Sequence, residues 1–137
     1  MLDPFTHSLF LTQHNLMTWY PKGVLDLGMA STMVDLLAFQ ENILDEPFNR
    51  FADLSRVSEV HIDLNQINDL AARRREAYGD GPPVKTAFLA TTFAAAVVAL
   101  MFARLMKPSP IKVRIFRERG AAAAWLGVPA EVLQSES

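Results

Sequence analysis

A chain of 137 residues, half of them hydrophobic, is long enough to bury one core of ordinary size and too short to hold two such domains comfortably. The absence of cysteine excludes disulfide bonds, thiol nucleophiles and cysteine-ligated zinc, and it agrees with a reducing compartment such as the cytoplasm, where we expect the protein. The net charge of −2 hides a split, because residues 1–69 carry 3 Lys or Arg against 10 Asp or Glu, whereas residues 70–137 carry 10 against 5. Such a split favours an acidic and a basic face over a nucleic-acid site, which typically needs a strongly basic domain with interleaved aromatic residues.

The amino-terminal segment is predicted to be part of the fold and not a targeting signal. Asp3 stands where a secretory signal carries Lys or Arg, and the apolar run that follows is short. Two β-prone runs, residues 9–13 and 16–20, are separated by a two-residue His-Asn loop, which predicts an antiparallel hairpin. Neither His7 nor His14 has a partner at metal-ligand spacing, so we predict no metal site.

A one-sided helix, a strand and a polar stretch follow. Over residues 28–46 apolar side chains recur at spacings of three, four and seven, which predicts a helix with one apolar face and with Asp26 or Thr32 as its cap. Residues 48–54 alternate between two faces and predict the third strand. Residues 53–63 are the richest polar stretch of the chain, and we predict a loop that links this strand to the next helix.

That helix is predicted over residues 64–78. Asp63 precedes it, and Gln66 three residues later completes a capping-box pattern. Arg74 falls on the apolar line of the helix, seven residues after Ile67. We predict that Arg74 lies at the edge of this line, with its stem packed and its guanidinium in water.

The second half of the chain contains the clearest unit. Runs that favour strands, at residues 84–90 and 111–116, flank a helix at residues 93–107, which predicts a βαβ crossover in a parallel sheet. Residues 86–103 contain no charge and reach the minimum length of a membrane span. The abundance of Ala and Thr, and a helix-cap position at Thr92, favour a buried strand and helix over a span.

The helix at residues 93–107 is apolar nearly all round. One stripe covers the sheet, so the other must meet a helix, a ligand cavity or a second subunit. The candidate surface for an apolar ligand or a second copy consists of Val98, Phe102 and Leu105 from this second stripe, together with Trp19.

The predicted fold class is α/β, a single-domain mixed sheet of about five strands with about four helices, in which an antiparallel hairpin precedes parallel βαβ units with right-handed crossovers. The last helix is expected near residues 118–126, ended by Gly127, and residues 134–137 are expected to fray. Open α/β sheets bind ligands beyond the carboxyl ends of their strands. This rule gives a candidate ligand or partner site of ten residues: Asp53, Ser55, Arg56, Ser58, His61, Asp63, Thr91, Thr92, Arg117 and Glu118. The alternative is that Asp63 and Thr92 are simple helix caps.

Two further alternatives find little support in the sequence. Residues 53–63 contain every residue type of a Ser-His-Asp hydrolase, but no Gly-x-Ser-x-Gly elbow holds a nucleophile. The glycine-rich turn at residues 79–81 is followed by two prolines, which lack the N–H groups of a phosphate cradle. We therefore predict no catalytic residue, no metal and no cofactor, and a hydrolase using residues 53–63 is the last of the alternatives.

Three segments carry a resemblance to a known family. They read Phe-Ala-Asp-Leu-Ser-Arg-Val at residues 51–57, Ala-Ala-Arg-Arg-Arg at residues 71–75, and Val-Arg-Ile-Phe-Arg from residue 113 leading into Ala-Trp-Leu-Gly from residue 124. Through these three segments the chain resembles the STAS-like family of bacterial proteins, akin to sporulation anti-sigma-factor antagonists, and the resemblance extends over about residues 8–130. In the antagonists, Asp-Ser-Ser-Gly stands at the helix start after the Asp-Leu-Ser strand end, and a partner kinase phosphorylates a serine there. The matching residues here are Asp63, Leu64, Asn65 and Gln66, so no phosphorylation switch is expected at that position.

The resemblance implies a mixed sheet covered by helices, no chemistry, and the binding of another protein or of a small apolar molecule. STAS-like domains are also similar in shape to CRAL-TRIO lipid-transfer domains. We therefore predict a non-catalytic binding or regulatory module that acts through protein–protein interaction, with a carrier or sensor of a small apolar ligand or lipid as the alternative. Surplus apolar surface on the helix at residues 93–107 further predicts a homodimer.

Overall fold

The computed structural model describes residue 3 and residues 6–134, so the predicted fraying of the tail falls, except for Gln134, outside the described residues. This part of the chain contains seven strands and four α-helices. The strands are β1 (Ser8–Leu11), β2 (Leu16–Trp19), β3 (Gly23–Asp26), β4 (Asn49–Asp53), β5 (Val57–His61), β6 (Val84–Leu89) and β7 (Ile111–Phe116). The helices are α1 (Leu27–Ile43), α2 (Leu64–Tyr78), α3 (Phe93–Leu105) and α4 (Arg119–Leu126), followed by a short 3₁₀ helix at Ala130–Leu133.

The main sheet has five strands in the order β1-β2-β4-β6-β7. β1 and β2 form an antiparallel hairpin, and β2, β4, β6 and β7 pair in parallel. The predicted mixed sheet, with its hairpin and its parallel strands, is confirmed. Residues 86–103 are divided between β6 and α3, as the strand-and-helix interpretation required. No helix in the described part of the chain has both the length and the apolar character needed to cross a bilayer.

A second sheet, formed by β3 and β5 in parallel, was not predicted from the sequence. β5 occupies the middle of residues 53–63, so the prediction of a loop over that stretch is wrong. The cause lies in the pattern: Val57 and Val60 are three positions apart with polar residues between them, and three of the five side chains in β5 are exposed. Such a strand shows no alternation in the sequence, because it forms by pairing its backbone with β3.

The two faces of the main sheet are covered by different helices. One face packs against α1 and α3, as Ala52 of β4 does in a cluster with Met33 and Ala99, and α2 lies beside those two helices. The other face packs against α4 and the 3₁₀ helix, as Phe51 does in a cluster with Ala123. Consecutive residues of β4 thus serve opposite cores, which is the alternation expected of a strand buried on both sides.

Side-chain caps fix where three of the helices begin. The Asp26 carboxylate caps α1 and the Thr92 hydroxyl caps α3, each accepting a hydrogen bond from a backbone N–H three residues later, at 2.9 and 3.3 Å. Asp63 and Gln66 form the predicted capping box at the start of α2. Gly127 ends α4 in the left-handed region with φ of 76°, as the sequence indicated.

Helix α3 turns one stripe inward and leaves another in solvent. Ala99 is fully buried against the sheet, with Phe102 partly buried beside it. The outer stripe of α3 consists of Phe93, Val97 and Leu100, and Phe93 is 86% exposed. The helix therefore does expose an apolar stripe, but it consists of Phe93, Val97 and Leu100, whereas Val98, Phe102 and Leu105, the stripe expected to be left over, are half-buried.

Candidate functional site

Asp53 is the one residue of the predicted site at the sheet edge that is buried, and its carboxylate is occupied by structural bonds. Its Oδ1 accepts hydrogen bonds from the backbone N–H and the hydroxyl of Ser55, at 2.9 and 2.6 Å. Its Oδ2 accepts from Arg119 Nη2 at 2.7 Å. Asp53 thus ties the turn after β4 to the start of α4. Arg119 is the partner that the sequence did not reveal, since the two residues lie 66 positions apart.

The other members of the predicted site lie near the same edge without forming one cluster. Asp63 and Thr92 cap α2 and α3, as the simpler interpretation held. Exposed His61 lies with its Nε2 3.0 Å from Glu59 Oε2 on its own strand. The remaining candidates are placed in the turn after β4 (Arg56), on exposed positions of β5 and before α3 (Ser58, Thr91), and between β7 and α4 (Arg117, Glu118).

A cavity of about 120 Å³ lies between the main sheet and helices α1, α2 and α3. Its wall is mostly aliphatic and aromatic, and it includes three of the four residues predicted for an apolar ligand, Val98, Phe102 and Trp19. Leu105, the fourth, packs in a neighbouring cluster with Met106. Trp19 is buried and Val98 and Phe102 are half-buried, whereas Phe93, Val97 and Leu100 of the outer stripe of α3 are exposed.

Three charged residues form a buried cluster at the wall of this apolar cavity. Arg50 comes from the central strand β4, Arg74 from α2, and Glu41 from α1. Glu41 Oε2 accepts hydrogen bonds from Arg50 Nη2, at 2.6 Å, and from Arg74 Nη2. Arg50 Nε also donates to the Phe48 carbonyl at 2.9 Å, and its guanidinium lies 4.6 Å from the centre of the Phe48 ring. Burial lowers the pKa of Arg50 from its ordinary value, and the Glu41 carboxylate opposes that shift.

The prediction that the Arg74 guanidinium lies in water is wrong, because Arg74 is only 2% exposed. The helical spacing placed the residue correctly on the apolar line of α2. What the spacing could not show is that α1 packs against α2 and brings Glu41, 33 positions away in sequence, to the end of the Arg74 side chain. A partner at that distance makes burial of the guanidinium possible.

The cluster retains unused hydrogen-bonding capacity. Arg74 Nη1 and Glu41 Oε1 are both buried without a partner among the described residues. Two guanidinium groups share one carboxylate, so the cluster carries one positive charge in excess. Since Arg50 and Arg74 both contribute to the cavity wall, this charge borders the apolar cavity.

A second, open groove lies between α3 and the edge strand β7. Four cationic side chains line it, Arg104, Lys107, Lys112 and Arg114, and no acidic residue does. Leu100 of the outer stripe of α3 forms part of its rim. The basic groove and the outer stripe thus adjoin on one side of the molecule. No group of three or more metal-ligating side chains occurs within the described residues.

Comparisons with known proteins support the fold and do not identify a functional site. No protein-family model matches the sequence, and no curated protein does. Among solved structures, the chain is similar to an uncharacterized protein of the DUF3478 family with a SpoIIAA-like fold from Shewanella loihica, with a TM-score of 0.53 and 13% sequence identity. The similarity covers 81% of this chain and 83% of that one. An identity this low speaks for shared architecture alone, and the architecture agrees with the resemblance seen in the sequence: the chain has a SpoIIAA-like, or STAS-like, fold.

Proposed function

We propose that the protein is a non-catalytic binding module that holds a small apolar molecule in the cavity beneath α1, α2 and α3. The observation that carries this proposal is the cavity itself, about 120 Å³ in volume, which lies between a sheet and three helices and is lined mostly by apolar side chains. Protein interiors are normally packed as densely as organic crystals, so a cavity of this size is unusual in a chain of this length.

The volume has an energetic consequence. Wall atoms that face an unfilled apolar space of about 120 Å³ lack dispersion partners on that side, which costs free energy. An apolar occupant of matching size recovers part of this free energy through dispersion contacts with the wall. An engineered cavity of about 150 Å³ with a similar lining binds benzene, which sets the scale of the ligand.

The second candidate is docking of a cytoplasmic partner protein, the role that the sequence first suggested. The observation that favours it is the exposed outer stripe of α3 beside the basic groove. An apolar stripe flanked by cations suits a partner with an apolar anchor and an acidic rim. Native mass spectrometry of freshly purified protein separates the two candidates, because a carrier retains extra mass of a few hundred daltons or less and a docking module does not.

Filling the cavity tests the first candidate directly. Ala99 is buried on the cavity wall, so Ala99→Leu places a larger side chain in the space that a ligand would take. We expect wild-type protein to bind benzene, seen as NMR shift changes of the methyl groups on the cavity wall, and Ala99→Leu to bind at least tenfold more weakly. Ala94→Leu, at an exposed position of the same helix, is the matched control and should bind as the wild type does. Equal benzene binding by both variants would refute the cavity as the site.

A further inference from the structure

The charged cluster at the cavity wall indicates what kind of molecule the cavity takes. Arg74 Nη1 is a strong hydrogen-bond donor, and it is buried on a side chain that is 2% exposed. Burying a charged donor without an acceptor is costly, and guanidinium groups in protein interiors are normally saturated. An acceptor reaching Arg74 from the cavity would relieve this cost.

The charge of the cluster specifies the acceptor further. Arg50 and Arg74 share the single carboxylate of Glu41, which leaves one excess positive charge beside an apolar space. A monoanion neutralises this excess charge, whereas a dianionic phosphate monoester would leave a buried net negative charge. The planar fork of a guanidinium also matches the geometry of a carboxylate. Both guanidinium groups bind Glu41 Oε2, so the cluster stays net positive toward an anion even though Glu41 Oε1 has no partner among the described residues.

The volume limits the rest of the ligand. A space of about 120 Å³ compares with the cavity of about 150 Å³ that accepts benzene, so it holds one ring or a chain of about six carbons. A longer chain would extend beyond it. Besides the charged cluster, only Thr86 and the indole of Trp19 bring polar side-chain atoms to the mostly apolar lining.

We propose that the ligand is a small carboxylic acid, with an aryl ring or a short aliphatic chain in the cavity and its carboxylate on Arg74 Nη1. This inference rests on the proposed function of the cavity and adds the chemical class of the ligand. It makes Arg74 the specificity-determining residue. Arg50, which is held by Glu41, the Phe48 carbonyl and the Phe48 ring, is its electrostatic support.

The test compares two probes of nearly equal size, phenylacetate and 2-phenylethanol, by isothermal titration calorimetry at pH 7. A hydrogen bond to a charged group adds about 1.5–3 kcal/mol, so we expect wild-type protein to bind phenylacetate tenfold to a hundredfold more tightly than the alcohol. Arg74→Met should lose that preference and keep its affinity for the alcohol. Arg73→Met, the neighbouring exposed position on the same helix, should behave as the wild type.

Each outcome decides a separate point. Equal binding of the two probes by the wild type overturns the carboxylic-acid inference and leaves the cavity function standing. Binding of neither probe by folded wild-type protein overturns both. An equal loss of affinity for both probes in Arg74→Met shows that Arg74 only shapes the cavity and refutes its role in specificity.

If Arg74→Met does not fold, Arg74→Lys provides a second test. This variant keeps the charge without the planar fork and should bind phenylacetate more weakly than the wild type. Unchanged phenylacetate affinity in that variant would count against the inference.

Discussion

The charged side chains of Glu41, Arg50 and Arg74 are buried in the interior of the protein. Glu41 holds two guanidinium groups at once, and its side chain is only 11% exposed. Arg73, one residue before Arg74, also donates to an acid of α1, Asp35 at 2.6 Å, but that pair lies in solvent. The Arg74–Glu41 and Arg73–Asp35 pairs join the same two helices and differ in burial. Comparing them therefore shows how burial changes the contribution of an ion pair to stability.

Neutralising Glu41 should therefore destabilise the protein far more than neutralising Asp35. Glu41→Gln leaves two buried guanidinium groups without a counter-charge, and we expect the free energy of unfolding to fall by about 3 kcal/mol or more. Asp35→Asn should cost less than about 1 kcal/mol, because exposed pairs contribute little. Urea denaturation with unchanged m-values measures both. A Glu41→Gln cost no larger than that of Asp35→Asn would mean that water reaches the cluster.

Among the secondary-structure elements, the sequence predicted those whose cause is local. The β6-α3-β7 unit was visible because its apolar runs, its Thr92 cap and its length all lie within one short stretch of chain. The pairing of β3 with β5 was not, since each strand depends on a partner more than thirty residues away. The same limit applies to the site: spacing indicated which side chains of α3 are apolar, but only packing decides that Val98 and Phe102 face a cavity while Phe93 faces solvent.

The helix caps at the sheet edge provide a test of whether that edge is a binding site. Asp63 satisfies the N–H of Gln66 at 2.8 Å, so Asp63→Ala should lower the free energy of unfolding by about 1 kcal/mol. It should leave the affinity for phenylacetate unchanged, because Asp63 does not contribute to the cavity wall. Asp80→Ala, in the exposed turn after α2, is the control and should change stability by less than about 0.5 kcal/mol. Loss of phenylacetate binding in Asp63→Ala would indicate that the sheet edge takes part in ligand binding.

At the scale of the whole molecule, the apolar cavity and the exposed outer stripe of α3 are separate surfaces. The cavity suits a small ligand, whereas the outer stripe of α3 offers an apolar surface that water contacts. Monomeric proteins rarely leave large contiguous apolar patches open, so the homodimer expected from the sequence remains our prediction, now with the outer stripe as its interface. The split between an acidic first half and a basic second half would add attraction between the chains.

Light scattering at low and high salt tests this prediction. If apolar burial dominates, a dimer should persist at high salt, because salt screens exposed charges and leaves apolar contact intact. Leu100→Gln should convert the dimer to a monomer, while Phe39→Ser, at an exposed aromatic position on α1, should not. A monomer under both conditions refutes self-association, and a dimer lost only at high salt shows that charge and not apolar contact holds the chains together.

The placement of the two tryptophans gives the protein an optical reporter of its own. Trp19 is 8% exposed and lies on the cavity wall, whereas Trp125 packs against Phe116 on the opposite face of the sheet, with ring centroids 5.7 Å apart. In a Trp125→Phe variant all indole fluorescence would come from the cavity wall. Its emission wavelength and lifetime would then follow occupancy of the cavity in real time, without any attached dye.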